Sequence, residues 1–159
     1  MEIHVYDRNL RRLGHIENHT SLQWHRKYYE CGTFELHCPV TAENLRLLQP
    51  GNIITKGDNK QEAAVIRGDQ AEEESTLVNE ITRNGFFLPV YLGDRLTGPQ
   101  FNFNGTVEEA MHYMIGRMEQ IPLLQIGTTT GDTTKVQFQA TYKNVLESVS
   151  YTHLTLPTT

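Results

Sequence analysis

Hydrophobic and polar residues alternate with a period of two through residues 2–39, the signature of half-buried strands. Ile3 and Val5 fall on one face of the Glu2–Tyr6 segment, His4 and Tyr6 on the other. The turn cluster Asp7-Arg8-Asn9 follows, and Arg12–Glu17 resumes an extended pattern around Leu13 and Ile16, so the two segments predict a hairpin. Ser21–Tyr29 sets Leu22, Trp24, Arg26 and Tyr28 against Gln23, His25, Lys27 and Tyr29. Thr33–Pro39 places Phe34, Leu36 and Cys38 together, with Glu35 and His37 opposite. The short turn Glu30-Cys31-Gly32 between these segments predicts an antiparallel pair.

The period then changes. Thr41–Leu48 reads as a short helix, with Thr41 as N-cap, Val40 and Leu45 at staple positions, and Pro50-Gly51 as the stop. Asn52–Lys56 and Glu62–Arg67 read as strands joined by the turn-rich Gly57-Asp58-Asn59-Lys60. Asp69–Ser75 reads as an acidic loop and Thr76–Arg83 as a strand. From Asn84 to Gly98 an apolar run is interrupted by Pro89 and Gly93 and fits no period. Thr106-Val-Glu-Glu109 is a capping box. It opens a helix in which Val107, Ala110, Met111, Met114, Ile115 and Met118 share one face before Pro122. Leu123–Ile126 and Lys135–Thr141 read as strands around a polar Thr/Gly loop, and a further helix begins at Asn144.

These elements predict an α+β fold, strand-dominated, with antiparallel sheets or a partial barrel and two or three short helices. The expected organisation is one region over residues 1–148, divisible into a first β-rich unit over 1–83 and a second starting at 84. Residues 149–159 break the pattern. The string Val149-Ser-Tyr-Thr-His-Leu-Thr-Leu-Pro-Thr158 matches one reading frame of a transposon-end adapter used in sequencing libraries. The expectation is that the native gene continues past Ser148, and His153 is set aside from any site.

Composition narrows function mainly by exclusion. The chain has 159 residues, is 38% hydrophobic and 21% charged, and carries a net charge of −5. That balance suits a folded domain and disfavours one built to grip phosphate backbones. No apolar run is long enough to span a bilayer, and the N-terminal stretch lacks the apolar core of a signal peptide. Cys31 and Cys38 lie an odd number of positions apart on a strand. That spacing separates them by roughly 23 Å, against the about 7 Å a disulfide tolerates, so both are expected to be free thiols.

The remaining candidates for chemistry are weak. Trp24, Tyr28 and Tyr29, with Phe34 and Phe103, could stack on sugar rings or line an interface, although aromatics at strand spacing usually form sheet core. Asp69 with Glu72-Glu73-Glu74 lacks the spacing of a calcium loop. Thr128–Asp132 has glycine and hydroxyls but no phosphate-loop lysine. His15 and His19 have a metal-ligand spacing only if helical, and they lie in a hairpin region. His25 and His37 have no nucleophile in a recognisable motif. The Met111, Met114 and Met118 stripe reads as core. No catalytic, cofactor-binding or metal-binding set emerges, so a non-enzymatic domain is expected.

Four stretches in order carry a resemblance. They are Ile3-His-Val-Tyr-Asp-Arg8 with Leu13-Gly-His-Ile-Glu17; Ser21-Leu22 through Trp24 and Arg26–Glu30 to Gly32-Thr-Phe-Glu-Leu-His37; Ala42-Glu-Asn44 to Leu47-Leu-Gln-Pro-Gly-Asn-Ile-Ile54; and Phe103-Asn-Gly-Thr-Val-Glu-Glu-Ala-Met111. Together they resemble the siphophage and prophage tail proteins of the ReqiPepy-type gene-thirty-seven-like family, over about residues 2–148. Asn84–Pro89 departs from that family, where a Gly-led helix is usual, and the β region that normally follows the 142–146 helix is missing.

The resemblance implies a structural protein of the virion, a baseplate-hub or tail-tip component made in the host cytoplasm. It implies a homo-oligomeric ring, often trimeric, touching the distal tail protein, the tape measure and tail fibres. Neither specific nucleic-acid recognition nor membrane insertion is implied. An acidic channel wall, with the Asp69–Glu74 loop facing the lumen, would let DNA pass by like-charge repulsion. The alternatives are a receptor- or glycan-binding tail module and the non-catalytic part of a tail-associated cell-wall hydrolase.

Overall fold

The computed structural model describes residues 1–27, 30–69, 80–116 and 124–148. The chain forms two compact units, Met1–Leu88 and Pro89–Thr159.

The first unit contains β1 (Ile3–Tyr6), β2 (Arg12–Ile16), β3 (Ser21–His25), β4 (Thr33–Pro39), α1 (Ala42–Leu47), β5 (Ile53–Lys56), β6 (Asn59–Asp69) and β7 (Glu80–Phe87). All seven strands join one antiparallel sheet in the order β2-β1-β5-β6-β7-β4-β3. The strands consecutive in sequence, β2 and β3, occupy opposite edges. A flat sheet of this width would hold its edges about 29 Å apart. The chain from Ile16 to Ser21 reaches only about 17 Å. The sheet must therefore curl, and it does so without closing into a barrel. The expected antiparallel, strand-dominated fold is present, as are the β1–β2, β3–β4 and β5–β6 hairpins.

The inward face of the curl is the core. Ile3, Val5, Ile16, Phe34, Leu36, Cys38, Ile54, Ala64 and Ile66 are buried together with Leu47 of α1 and its C-cap residue Leu48. The cap of α1 is the expected one: Thr41 Oγ1 accepts from the Asn44 backbone N–H at 3.0 Å. Leu47 lies over Gly14 of β2, where a side chain would meet its methyl groups at 3.1–3.2 Å. Arg83 points inward from β7 and is only 8% exposed. Its Nε donates to the Leu48 carbonyl at 2.9 Å, closing the C-terminal end of α1 against the sheet.

Cys31 and Cys38 are free thiols. Burial, reinforced by the Glu80 carboxylate and opposed by Arg83, pushes the Cys38 thiol up to about 11. The unfolded chain releases that proton near pH 9, whereas the folded chain holds it. The folded state thus binds more protons across this window, and stability should fall as pH rises from about 9 to about 11, by an amount on the order of 2 kcal/mol. In the native state near neutral pH, disulfide reagents should modify Cys31 alone, and Cys38 only after denaturation. A thiol count by absorbance with and without denaturant checks this; rapid modification of both native thiols would contradict it.

The second unit contains α2 (Val90–Gly93), β8 (Phe101–Thr106), α3 (Val107–Gly116) and β9 (Lys135–Ala140), with a last helical turn over 145–148. The capping box of α3 is reciprocal. Glu109 Oε2 accepts from Thr106 N at 2.8 Å, and Thr106 Oγ1 accepts from Glu109 N at 3.2 Å. These bonds hold the Glu109 carboxyl below its usual range. Two readings are corrected here. Residues 124–126 are not a strand, and Leu124 and Ile126 are exposed. The partner of β9 is β8, which the hydrophobic pattern did not reveal. Met114 is buried with Val145, and Phe101, Phe103, Phe138 and Tyr113 form a chain of ring contacts between β8, β9 and α3. Met118 lies outside the described residues, as does the stretch expected as strand over 76–79.

Candidate functional site

The candidate aromatic site centres on Trp24. The β3–β4 register sets it opposite Phe34. Its ring lies 5.9 Å from Phe34 and 4.8 Å from Phe87, centroid to centroid. Lys56 Nζ sits over the ring at 5.5 Å. The indole Nε1–H donates to Glu62 Oε2 at 3.1 Å, and the other Glu62 oxygen accepts from Arg26 at 2.6 Å. Trp24 is on an edge strand, while Lys56 and Glu62 belong to β5 and β6 in the middle of the sheet. The ring therefore reaches across the concave face and ties the curl together. Its neighbours are packing and ion-pair partners. Tyr28 and Tyr29, grouped with Trp24 by the sequence, lie outside the described residues. Phe34 is core, and Phe103 packs within the second unit against Phe138 and Tyr113.

Among the described residues, one hydroxyl–imidazole–carboxylate chain forms. His37 and Thr82 are cross-strand partners, with Thr82 Oγ1 3.2 Å from His37 Nδ1. His37 Nε2 lies 2.7 Å from Glu35 Oε1, and Glu80 Oε2 is 3.8 Å from Nδ1. The order matches a nucleophile, base and orienting acid. Thr82 and His37 sit within the β4–β7 ladder, which takes up the β7 backbone on that side in sheet pairing. The arrangement is a polar cross-strand cluster on the outer face. His25 is exposed.

The Thr128–Asp132 loop does form an anion cradle, filled from within the chain. Thr130 N and Gly131 N donate to the two carboxylate oxygens of Glu108, the latter at 3.1 Å. Of the expected acidic loop, Asp69 ends β6 and Glu72–Glu74 lie outside the described residues. His15 and His19 are not on a helix, and His15 turns instead toward Glu2 and Glu17. Partial burial and the nearby α-amino group push the His19 imidazole below its ordinary value. A cavity of about 380 Å³ in the second unit is lined, among the described residues, by Leu96, Gln100, Phe101, Met114, Val145 and others, none of them ionisable.

Arg83 and Glu62, the charged residues that organise the first unit, were not singled out by sequence reasoning. Period-two counting along Ile81-Thr-Arg83-Asn-Gly85 places Arg83 inward, and a charge at an inward position is the signal that could have found it.

The model of the family described as Siphovirus ReqiPepy6 Gp37-like protein matches residues 2–152. No curated protein matches the chain. Among solved structures, a prophage tail protein, gp18 of Listeria monocytogenes EGD-e, has a similar fold, with a TM-score of 0.68 at 12% identity. The similarity covers 96% of this chain and 45% of that one, so the chain spans just under half the length of the structure it matches.

Proposed function

The chain belongs to the Siphovirus ReqiPepy6 Gp37-like family, and from that membership we propose that it is a structural component of a phage tail tip or baseplate hub, assembled as a homo-oligomeric ring. A fold shared with a prophage tail protein supports a structural role in the tail. The observation that carries the reading is the sheet itself. Among the described residues its edge strands β2 and β3 each pair on one side only, leaving edges that neighbouring subunits can continue. The partners are other tail proteins: the distal tail protein, the tape measure and the fibres. In this reading residues 1–148 form the hub-like region.

Gold-labelled antibody raised against residues 1–148, applied to particles of a phage carrying the gene, should decorate the distal end of the tail. Labelling of the capsid or along the whole tube would overturn the assignment. Light scattering on the purified chain with its tail neighbours should show a ring of defined stoichiometry. A cell-wall clearing assay tests the enzymatic alternative, and hydrolysis lost in Thr82→Val would convert the His37 cluster into an active site.

A further inference from the structure

Two tripeptides mirror each other across the β1–β2 hairpin: Glu2-Ile3-His4 and His15-Ile16-Glu17. Antiparallel register pairs Ile3 with Ile16 and His4 with His15, and its continuation brings Glu2 across from Glu17. Ile3 and Ile16 are each 1% exposed and face the core. The alternation therefore gathers two imidazoles and two carboxylates on the opposite face. Glu2 Oε1 lies 3.9 Å from His15 Nδ1, and His15 Nε2 lies 3.2 Å from Glu17 Oε1. Glu2, His15 and Glu17 can each present one ligand atom so that all three fall within 4.8 Å of one another.

We propose that this face binds a divalent transition-metal ion of the zinc class, held by Glu2, His15 and Glu17, with His4 fixing the orientation of Glu2. Zinc–oxygen and zinc–nitrogen bonds of about 2.0–2.2 Å place tetrahedral donors about 3.4 Å apart. Closing the observed group to that spacing needs only rotation of surface side chains. The second observation is His4. It is 4% exposed, its Nδ1 has no hydrogen-bond partner, and its Nε2 points at Glu2 Oε1 from 3.0 Å. A buried imidazole aimed at a carboxylate is how metal-binding side chains are commonly held in direction. Asp58 Oδ1, the acid nearest Nδ1, is 3.6 Å away. Like charges facing across a strand pair repel, and a cation between Glu2 and Glu17 offsets this. Arg12 Nη2, 3.3 Å from Glu2 Oε1, now supplies part of that charge and would swing outward. An imidazole with two carboxylates suits zinc, manganese or nickel, and offers too few oxygens for calcium. The bound ion would staple the first strand to the sheet edge.

Calorimetric titration of the tag-free full chain with zinc should show one equivalent bound. At tenfold excess over Kd the unfolding midpoint should rise by about 5 °C. His15→Ala and the double change Glu2→Gln with Glu17→Gln should each weaken binding by more than tenfold with unchanged circular dichroism. His19→Ala and His25→Ala should leave it intact. Absence of saturable heat with zinc in excess, or binding that survives His15→Ala, would overturn the proposal.

Discussion

Replacing Gly85 by Ala should unfold the first unit or lower its stability by about 4 kcal/mol or more. Gly85 lies mid-strand in β7, paired with Phe34 on one side and Ile66 on the other. A Cβ built there meets the Val65 carbonyl oxygen at 2.0 Å and the Phe34 ring at 2.6 Å. The Phe34 ring could rotate. The carbonyl cannot, because moving it means moving β6 and breaking ladders on both sides. For a unit of this size each kcal/mol is worth about 4–8 °C in the unfolding midpoint, so a drop of roughly 20 °C or loss of soluble protein is expected. Gly127→Ala is the matched control, since nothing lies within 4 Å of its added methyl; it should shift stability by less than about 0.5 kcal/mol. Thermal melts by circular dichroism decide the matter. A Gly85→Ala protein within about 1 kcal/mol of the parent would mean that β6 and β7 are not packed as described.

The same glycine shows where a linear pattern stops being informative. An Asn-Gly pair ordinarily marks a turn, so alternation alone ends the strand at Arg83. The structure continues through Asn84-Gly85 to Phe87 because the Phe34 ring, far away in sequence, needs the space a side chain would fill. Local signals were read correctly where local forces decide the outcome. Thr41 and Thr106 cap α1 and α3 as their spacing indicates, and the three hairpins close between neighbouring segments. The partner of β9 was not local. Phe101 and Phe103 alternate with Asn102 and Asn104, but Pro99 and Gly105 interrupt the run, and α3 lies between β8 and its mate. Loop-closure entropy grows only slowly with length, so proximity in sequence was a poor guide there. The mirrored Glu-Ile-His and His-Ile-Glu segments were visible as letters. Only the register showed that they meet.

Truncation of Trp24 has the next largest expected effect and separates the two readings of the aromatic site. Trp24→Ala should cost about 3 kcal/mol, the lower end of the range for buried tryptophan because the ring is only partly covered. The loss combines ring packing on Phe34 and Phe87, the cation over the ring, and the indole hydrogen bond to Glu62. Trp24→Phe keeps an aromatic body and leaves Glu62 paired with Arg26, so it should cost only about 1 kcal/mol. Lys56→Ala removes the cation alone and should cost about 0.5–1 kcal/mol. This graded series belongs to a residue that holds an edge strand to the middle of its own sheet. A sugar-stacking residue would give the opposite signature: Trp24→Ala melting with the parent while glycan-array binding disappears. The chain has one tryptophan, so its fluorescence reports on this position without labelling. Blue-shifted native emission that moves to the red in the same transition as the circular dichroism would tie Trp24 to the folding of the curl. Emission already red in the native state would leave the ring free for a ligand and remove the packing role.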